Sequence, residues 1–183
     1  MKRISVITVI VLFGVLASHE ANAQGAQGAQ GPDPIPAIRQ QYAAINRKTV
    51  KYRKVKKELV GFSAEGGELV AYLSGPSIVK ISATFYGEMG RASDEFYYSN
   101  DKLIFVYRKH SHYNGHLTGK VVRTTENRYY FKDDKLIRWI GEDGKQVSSA
   151  SSEFAAKETE YIASSKQFTE GARSKNSTIE DVP

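Results

Sequence analysis

The sequence predicts an α+β fold: an antiparallel β-meander with an N-terminal and a C-terminal helix packed on one face. Three observations predict it. Short runs rich in β-branched and aromatic residues alternate with turn signals between Leu69 and Ile140. Two of those runs repeat each other at a spacing of 33 residues. Apolar residues at helical spacing stand before and after them.

The chain opens with Lys2 and Arg3, then a nearly continuous apolar stretch from Ile4 to Leu16, then Ala21-Asn22-Ala23. A positive start, an apolar middle and small residues at the cut are the order of a cleavable secretory signal, expected over 1–23. The apolar stretch falls short of the ~20 residues a spanning helix needs. Residues 24–36 then read as a flexible Gly/Ala/Gln/Pro-rich linker. The expected location is periplasmic or extracellular, after cleavage near Ala23. The chain has no cysteine, which excludes disulfides and a lipid-bearing thiol at the cleavage site. The domain must then be held by its apolar core. A single domain is expected over 37–171, followed by a disordered tail over 172–183.

Within the domain, Ile38, Tyr42 and Ile45 recur at i, i+4 and i+7 behind a run of prolines, which predicts a helix from Pro36 to Arg47. For 48–59 the pattern suits helix or strand; a strand from Val50 to Leu59 is favoured. Gly66-Gly67 and Gly75-Pro76 are turn signals bracketing a strand at Leu69–Leu73, and Ile78–Tyr86 is the next.

The repeat matches Phe96-Tyr97-Tyr98-Ser99-Asn100-Asp101-Lys102-Leu103-Ile104 to Tyr129-Tyr130-Phe131-Lys132-Asp133-Asp134-Lys135-Leu136-Ile137. Each copy reads as strand, tight polar turn, strand, because Asn and Asp tolerate left-handed backbone. Simple alternation then pairs Tyr98 with Leu103 and Phe96 with Phe105 on one side of the sheet. It puts Tyr97, Ile104 and Val106 on the other, with Tyr130, Ile137 and Trp139. Beyond Gly144, Phe154, Tyr161 and Phe168 lie seven apart. Serines stand ready to cap a helix from Ser151 to Glu170, and Gly171 is a natural stop.

Glu65-Gly66-Gly67-Glu68, Tyr86-Gly87-Glu88, Glu95-Phe96-Tyr97-Tyr98 and Leu103-Ile104-Phe105-Val106 are followed by Glu126-Asn127-Arg128-Tyr129-Tyr130-Phe131 and Lys135-Leu136-Ile137-Arg138-Trp139-Ile140. Together, behind a signal segment, they resemble a family of small exported bacterial proteins. The resemblance spans roughly 36–170 and rests on core and turn residues. It implies the fold and the exported location, and carries over no site.

Three constellations bear on function. His110, His112 and His116 fall within seven residues. On a strand the first two share a side, and the Asn114-Gly115 turn would bring the third to them, a set suited to Zn²⁺ or Cu²⁺ with an open position for water. The ordinary alternative is a solvated hairpin end. Second, Arg47, Lys48, Lys51, Arg53, Lys54, Lys56 and Lys57 crowd into eleven residues with no acid among them. Removing Lys2, Arg3 and Glu20 from 26 basic and 20 acidic residues leaves 24 and 19, a net of +5. That field favours an envelope protein or an anionic glycan or lipid surface, whereas an exported protein is not expected to meet nucleic acid. The ordinary alternative is an edge strand whose lysines deter pairing. Third, Tyr97, Tyr130 and Trp139, with Tyr107 and Tyr113, offer a stacking surface on whichever sheet face stays bare, or simply core.

No cysteine nucleophile, no G-x-S-x-G and no phosphate-binding glycine loop occurs. The expectation is a non-enzymatic exported envelope protein. The alternative is a metal-binding protein or metal-dependent hydrolase built on the histidines.

Overall fold

Asp33 and the prolines after it start the first helix. The Asp33 Oδ1 accepts from the Ile35 N–H at 3.0 Å, and Pro34 and Pro36 occupy positions where a missing donor costs nothing. Helix α1 runs over Ile35–Arg47 in the computed structural model, which describes residues 32–116 and 119–181. The expected signal segment and the linker up to Gly31 lie outside the described residues. Asp33–Pro183 forms one compact unit. It takes in the last linker residues, because Ile35, the first residue of α1, is already buried in the cluster beneath that helix.

A single 3-10 turn, Thr49–Lys51, follows. Val50 is 87% exposed, so the strand expected from that residue starts later. Eight strands then form one sheet: β1 Arg53–Val60, β2 Gly67–Ser74, β3 Ser77–Gly87, β4 Gly90–Ser99, β5 Lys102–Tyr113, β6 Val121–Lys132, β7 Lys135–Ile140 and β8 Thr178–Glu180. The spatial order is β7-β6-β5-β4-β3-β2-β1-β8. The first seven make an antiparallel meander, and β8 adds to β1 in parallel.

Helix α2, Ser152–Arg173, precedes β8. The Ser151 hydroxyl oxygen accepts from the Phe154 N–H and caps it. Gly171 does not stop the helix. A Cβ there would lie 2.5 Å from the Ile179 side chain, so glycine lets β8 approach. The expected disordered tail is therefore ordered through Asp181: Ile179 is buried, and Leu59 pairs with it in register.

The repeated hairpins turn as the sequence implies. Asn100 and Asp101 have φ of 50° and 59°, and Asp133 and Asp134 have 50° and 60°. Two left-handed residues in succession make the turn type whose twist suits a hairpin. The pairing beyond the turn differs from simple alternation. Tyr98 pairs with Leu103 but Tyr97 with Phe105, so Ile104 is an extra residue, and Phe96 faces Val106, not Phe105. The second copy does the same: Phe131 pairs with Leu136 and Tyr130 with Arg138, leaving Ile137 extra. The β2–β3 hairpin repeats the device at Val79, where Leu73 meets Ile78 and Tyr72 meets Lys80. In these three hairpins the bulge falls on the third residue after the turn.

These bulges decide which side each later residue takes. Phe105 joins Tyr97 and Tyr130 in one apolar cluster with Ile35, Ile38 and Ile45 of α1. Val106 joins Phe96, Tyr129 and Phe131 in another with Phe154, Tyr161 and Phe168 of α2. Trp139 pairs with Tyr129 and packs against that second cluster, not beside Tyr130. Neighbouring residues of a strand point to opposite faces. The Tyr42 ring of α1 meets Tyr97 at 4.9 Å, and the Phe168 ring of α2 meets Phe96 at 5.5 Å. The helices therefore lie on opposite faces of the sheet, and the expectation of one shared face is corrected. Both faces carry apolar residues and each has its own cover.

Candidate functional site

Six of the seven residues in the basic run reach solvent, though not on one face. Arg53 and Lys54 are neighbours on β1 and project to opposite sides of the sheet, Lys54 and Lys56 to the α1 side and Arg53 to the side of Val55 and Lys57. Arg47 and Lys48 end α1, where positive charge also meets the carbonyl end of the helix. Lys51 closes the 3-10 turn, and Arg53, Lys54 and Lys56 lie on β1. All six are exposed. None has an ion-pair partner among the described residues. Lys54 stacks over the Tyr72 ring at 5.5 Å. Lys57 departs from the group. It is buried, and its ammonium donates to the carbonyl oxygens of Ser174 and Asn176 behind α2. It is a structural clamp for the segment leading to β8. That strand covers β1 only at Glu58–Val60, so Arg53–Lys57 pairs with β2 alone among the described strands.

The histidines do not form the expected three-ligand set. His110 and His112 share a side of β5, with ring centroids 4.1 Å apart. His116 instead points its Nδ1 at Glu88 Oε2, 3.3 Å away, in an exposed pair. No group of three His, Cys, Asp or Glu among the described residues is placed to hold a metal ion. The reason is local: the hairpin end carries His116 past the ring pair to the β3–β4 turn. Burial, then the neighbouring His112 and Arg108, hold the His110 imidazole below its ordinary pKa.

The expected aromatic surface is core. Tyr97 is fully buried and Tyr130 nearly so, both beneath α1. Trp139 is half-buried, and its indole N–H donates to Asn127 Oδ1 at 2.9 Å. The Tyr97 hydroxyl belongs to a polar network under α1. It donates to Glu95 Oε2 at 2.5 Å and touches Asn46. The Lys80 ammonium completes the network, 2.7 Å from Glu95 Oε1 and 3.1 Å from Asn46 Oδ1. It sits between the rings of Tyr97 and Tyr72.

An ion pair between a buried carboxylate and a half-buried arginine on the α2 face escaped the sequence reading. Arg108 Nη1 meets Asp94 Oδ2 at 3.1 Å, while Asp94 Oδ1 is buried without a hydrogen-bond partner. Arg108 also approaches the Tyr161 hydroxyl, at a geometry short of a well-formed hydrogen bond. Burial pushes the Asp94 carboxyl up to about 6 against the pull of Arg108. With His110, both line a cleft of about 420 Å³ between α2 and the sheet, walled by Phe62, Phe85 and Phe168. Asp94 follows Ala92 and precedes Phe96 and Tyr98 on a buried side, a visible anomaly in the alternation. Arg108 was hidden, because the bulge at Ile104 inverts the side assigned to it.

Comparison of the chain with protein-family models, with curated proteins and with solved structures finds no match. Among the described residues no helix is long and apolar enough to cross a membrane.

Proposed function

We propose that this chain is an exported, non-enzymatic binding module that holds an anionic glycan or lipid surface of the bacterial envelope through Arg47, Lys48, Lys51, Arg53, Lys54 and Lys56. One observation carries the reading: six exposed cations from three consecutive elements follow one another along the chain, none with a carboxylate partner among the described residues. Lysines that only guard an edge strand need not extend back through a turn into the preceding helix. A cluster of this kind raises the local concentration of polyanions, and its reach is a Debye length, about 8 Å at physiological salt. The export signal expected over 1–23 belongs to the same proposal and supplies the compartment.

The test is co-sedimentation of the protein lacking 1–23 with phosphatidylglycerol and phosphatidylcholine vesicles, and retention on immobilised lipopolysaccharide, across a salt series. Binding to the anionic surfaces alone, weakening with salt and lost in Lys48→Glu/Lys51→Glu/Arg53→Glu, is the expected result. Equal binding to neutral vesicles, or undiminished binding by the variant, would sink the reading. Retention by an acidic protein and by neither envelope surface would redirect it to a protein partner.

A further inference from the structure

A pocket of about 350 Å³ opens between α1 and strands β5 and β6, away from the basic surface. Its floor is aromatic. Phe105 and Tyr130 lie with ring centroids 4.9 Å apart, and Tyr42 meets Phe105 edge-on at 5.3 Å. Its rim is cationic. Arg39, on the exposed side of α1, lies 5.9 Å over the Tyr130 ring, with its Nε 3.4 Å from the Tyr130 hydroxyl. Arg128, on β6, lies 5.7 Å over the Tyr107 ring. No carboxylate lines the pocket. Arg128 pairs with Glu126 at 2.7 Å just outside, where both side chains are partly exposed and the pair is readily exchanged for another oxyanion.

We infer that this pocket binds a small aromatic oxyanion, its ring on the floor of Phe105 and Tyr42 and its charged head between Arg39 and Arg128. Sign follows from two guanidinium groups with no lining carboxylate. Two tyrosine rings hold those guanidinium groups in place, so little freedom is lost when their planar forks close on an oxyanion. Size follows from the volume, which is at the low end for small-molecule sites and admits one ring with a short substituent, not a polymer. The site uses none of the six cations of the envelope-facing surface, so either reading can fail alone.

The test is titration of the isotope-labelled protein with phenylacetate, phenyl phosphate, benzyl alcohol and phenethylamine, followed by NMR at the Arg side chains and at Tyr42 and Phe105. Both anions should shift these signals, with affinity about tenfold or more above the neutral alcohol, and the amine should leave them in place. Comparing phenylacetate with phenyl phosphate separates a carboxylate ligand from a phosphoryl one. Arg39→Gln and Arg128→Gln should each weaken the anions about tenfold and leave benzyl alcohol unchanged. Lys48→Glu/Lys51→Glu/Arg53→Glu should not alter the shifts. Alcohol and anions binding alike, shifts confined to the basic surface, or no shift at millimolar probe would each overturn the inference. The ligand series in the wild-type protein decides it even if a variant is poorly folded.

Discussion

The two faces of one sheet are held by different physics. On the α2 face, Phe96, Tyr129, Phe131, Tyr161 and Phe168 make a broad apolar core, and the helix meets it at seven-residue intervals through Phe154, Tyr161 and Phe168. Its polar groups are isolated pairs: the Ser165 hydroxyl donates to the Tyr98 hydroxyl inside it, the Trp139 indole donates to Asn127, and the Asp94–Arg108 pair lies at its open end. On the α1 face the apolar cluster is smaller, and a buried lysine, a glutamate, a tyrosine hydroxyl and an asparagine join helix to sheet. Yet Phe96 and Tyr97 are sequence neighbours. The difference teaches that one strand can serve a mainly apolar core and a more polar one at once. It also places the pocket between Arg39 and Arg128 on the more polar side, where charged groups are held in position and partly reachable.

The comparison breaks first at Phe168. It contacts Phe62, Phe85 and Phe96, so Phe168→Ala should cost about 3–5 kcal/mol of stability in urea unfolding. Ile45→Ala at the margin of the α1 cluster should cost less. If the two costs came out equal, the claim of an unequal pair of cores would fall.

Asp94 sharpens the comparison through pH. An acid whose folded pKa lies above its unfolded value, about 3.9, binds its proton more tightly when folded. The stability this gives is complete below about pH 4 and is lost as the pH rises through 6. The loss is on the order of 3 kcal/mol for a shift of this size. Asp94→Asn should flatten that slope between pH 4 and 7 in thermal unfolding. A variant with the same slope as wild type would mean the carboxyl is not titrating there.

Lys80 gives the smallest of the three effects. Lys80→Met removes one partner from the α1 network and should cost about 2 kcal/mol, less than a fully enclosed pair because Glu95 remains partly exposed to water. Adding Glu95→Gln should restore part of it, since no lone charge is then left. A double variant as costly as the sum of the singles would show that the two groups are not coupled.

Local pattern determined the turn sites, the strands from Leu69 onward, and the stripe of α2, because each is a statement about neighbours in the chain. Asn100-Asp101 and Asp133-Asp134 adopt left-handed backbone for reasons internal to those residues. The apolar spacing of Phe154, Tyr161 and Phe168 fixes a buried helix side wherever the helix lies. The basic run was visible as composition, and six of its seven members are exposed, with alternation along β1 deciding which side each takes. Tertiary structure alone decided the rest. Alternation has a period of two, so the extra residue at Ile104 inverts the side of everything after it, which concealed Arg108 behind the assigned face of Phe105. The path of the chain into α1 and out of α2 sets which face each helix covers, and so buries Tyr97 and Tyr130 that looked available for stacking. Ile179 becomes core only because Gly171, eight residues earlier, leaves room for it, a contact between two elements that neither one's own residues foretell.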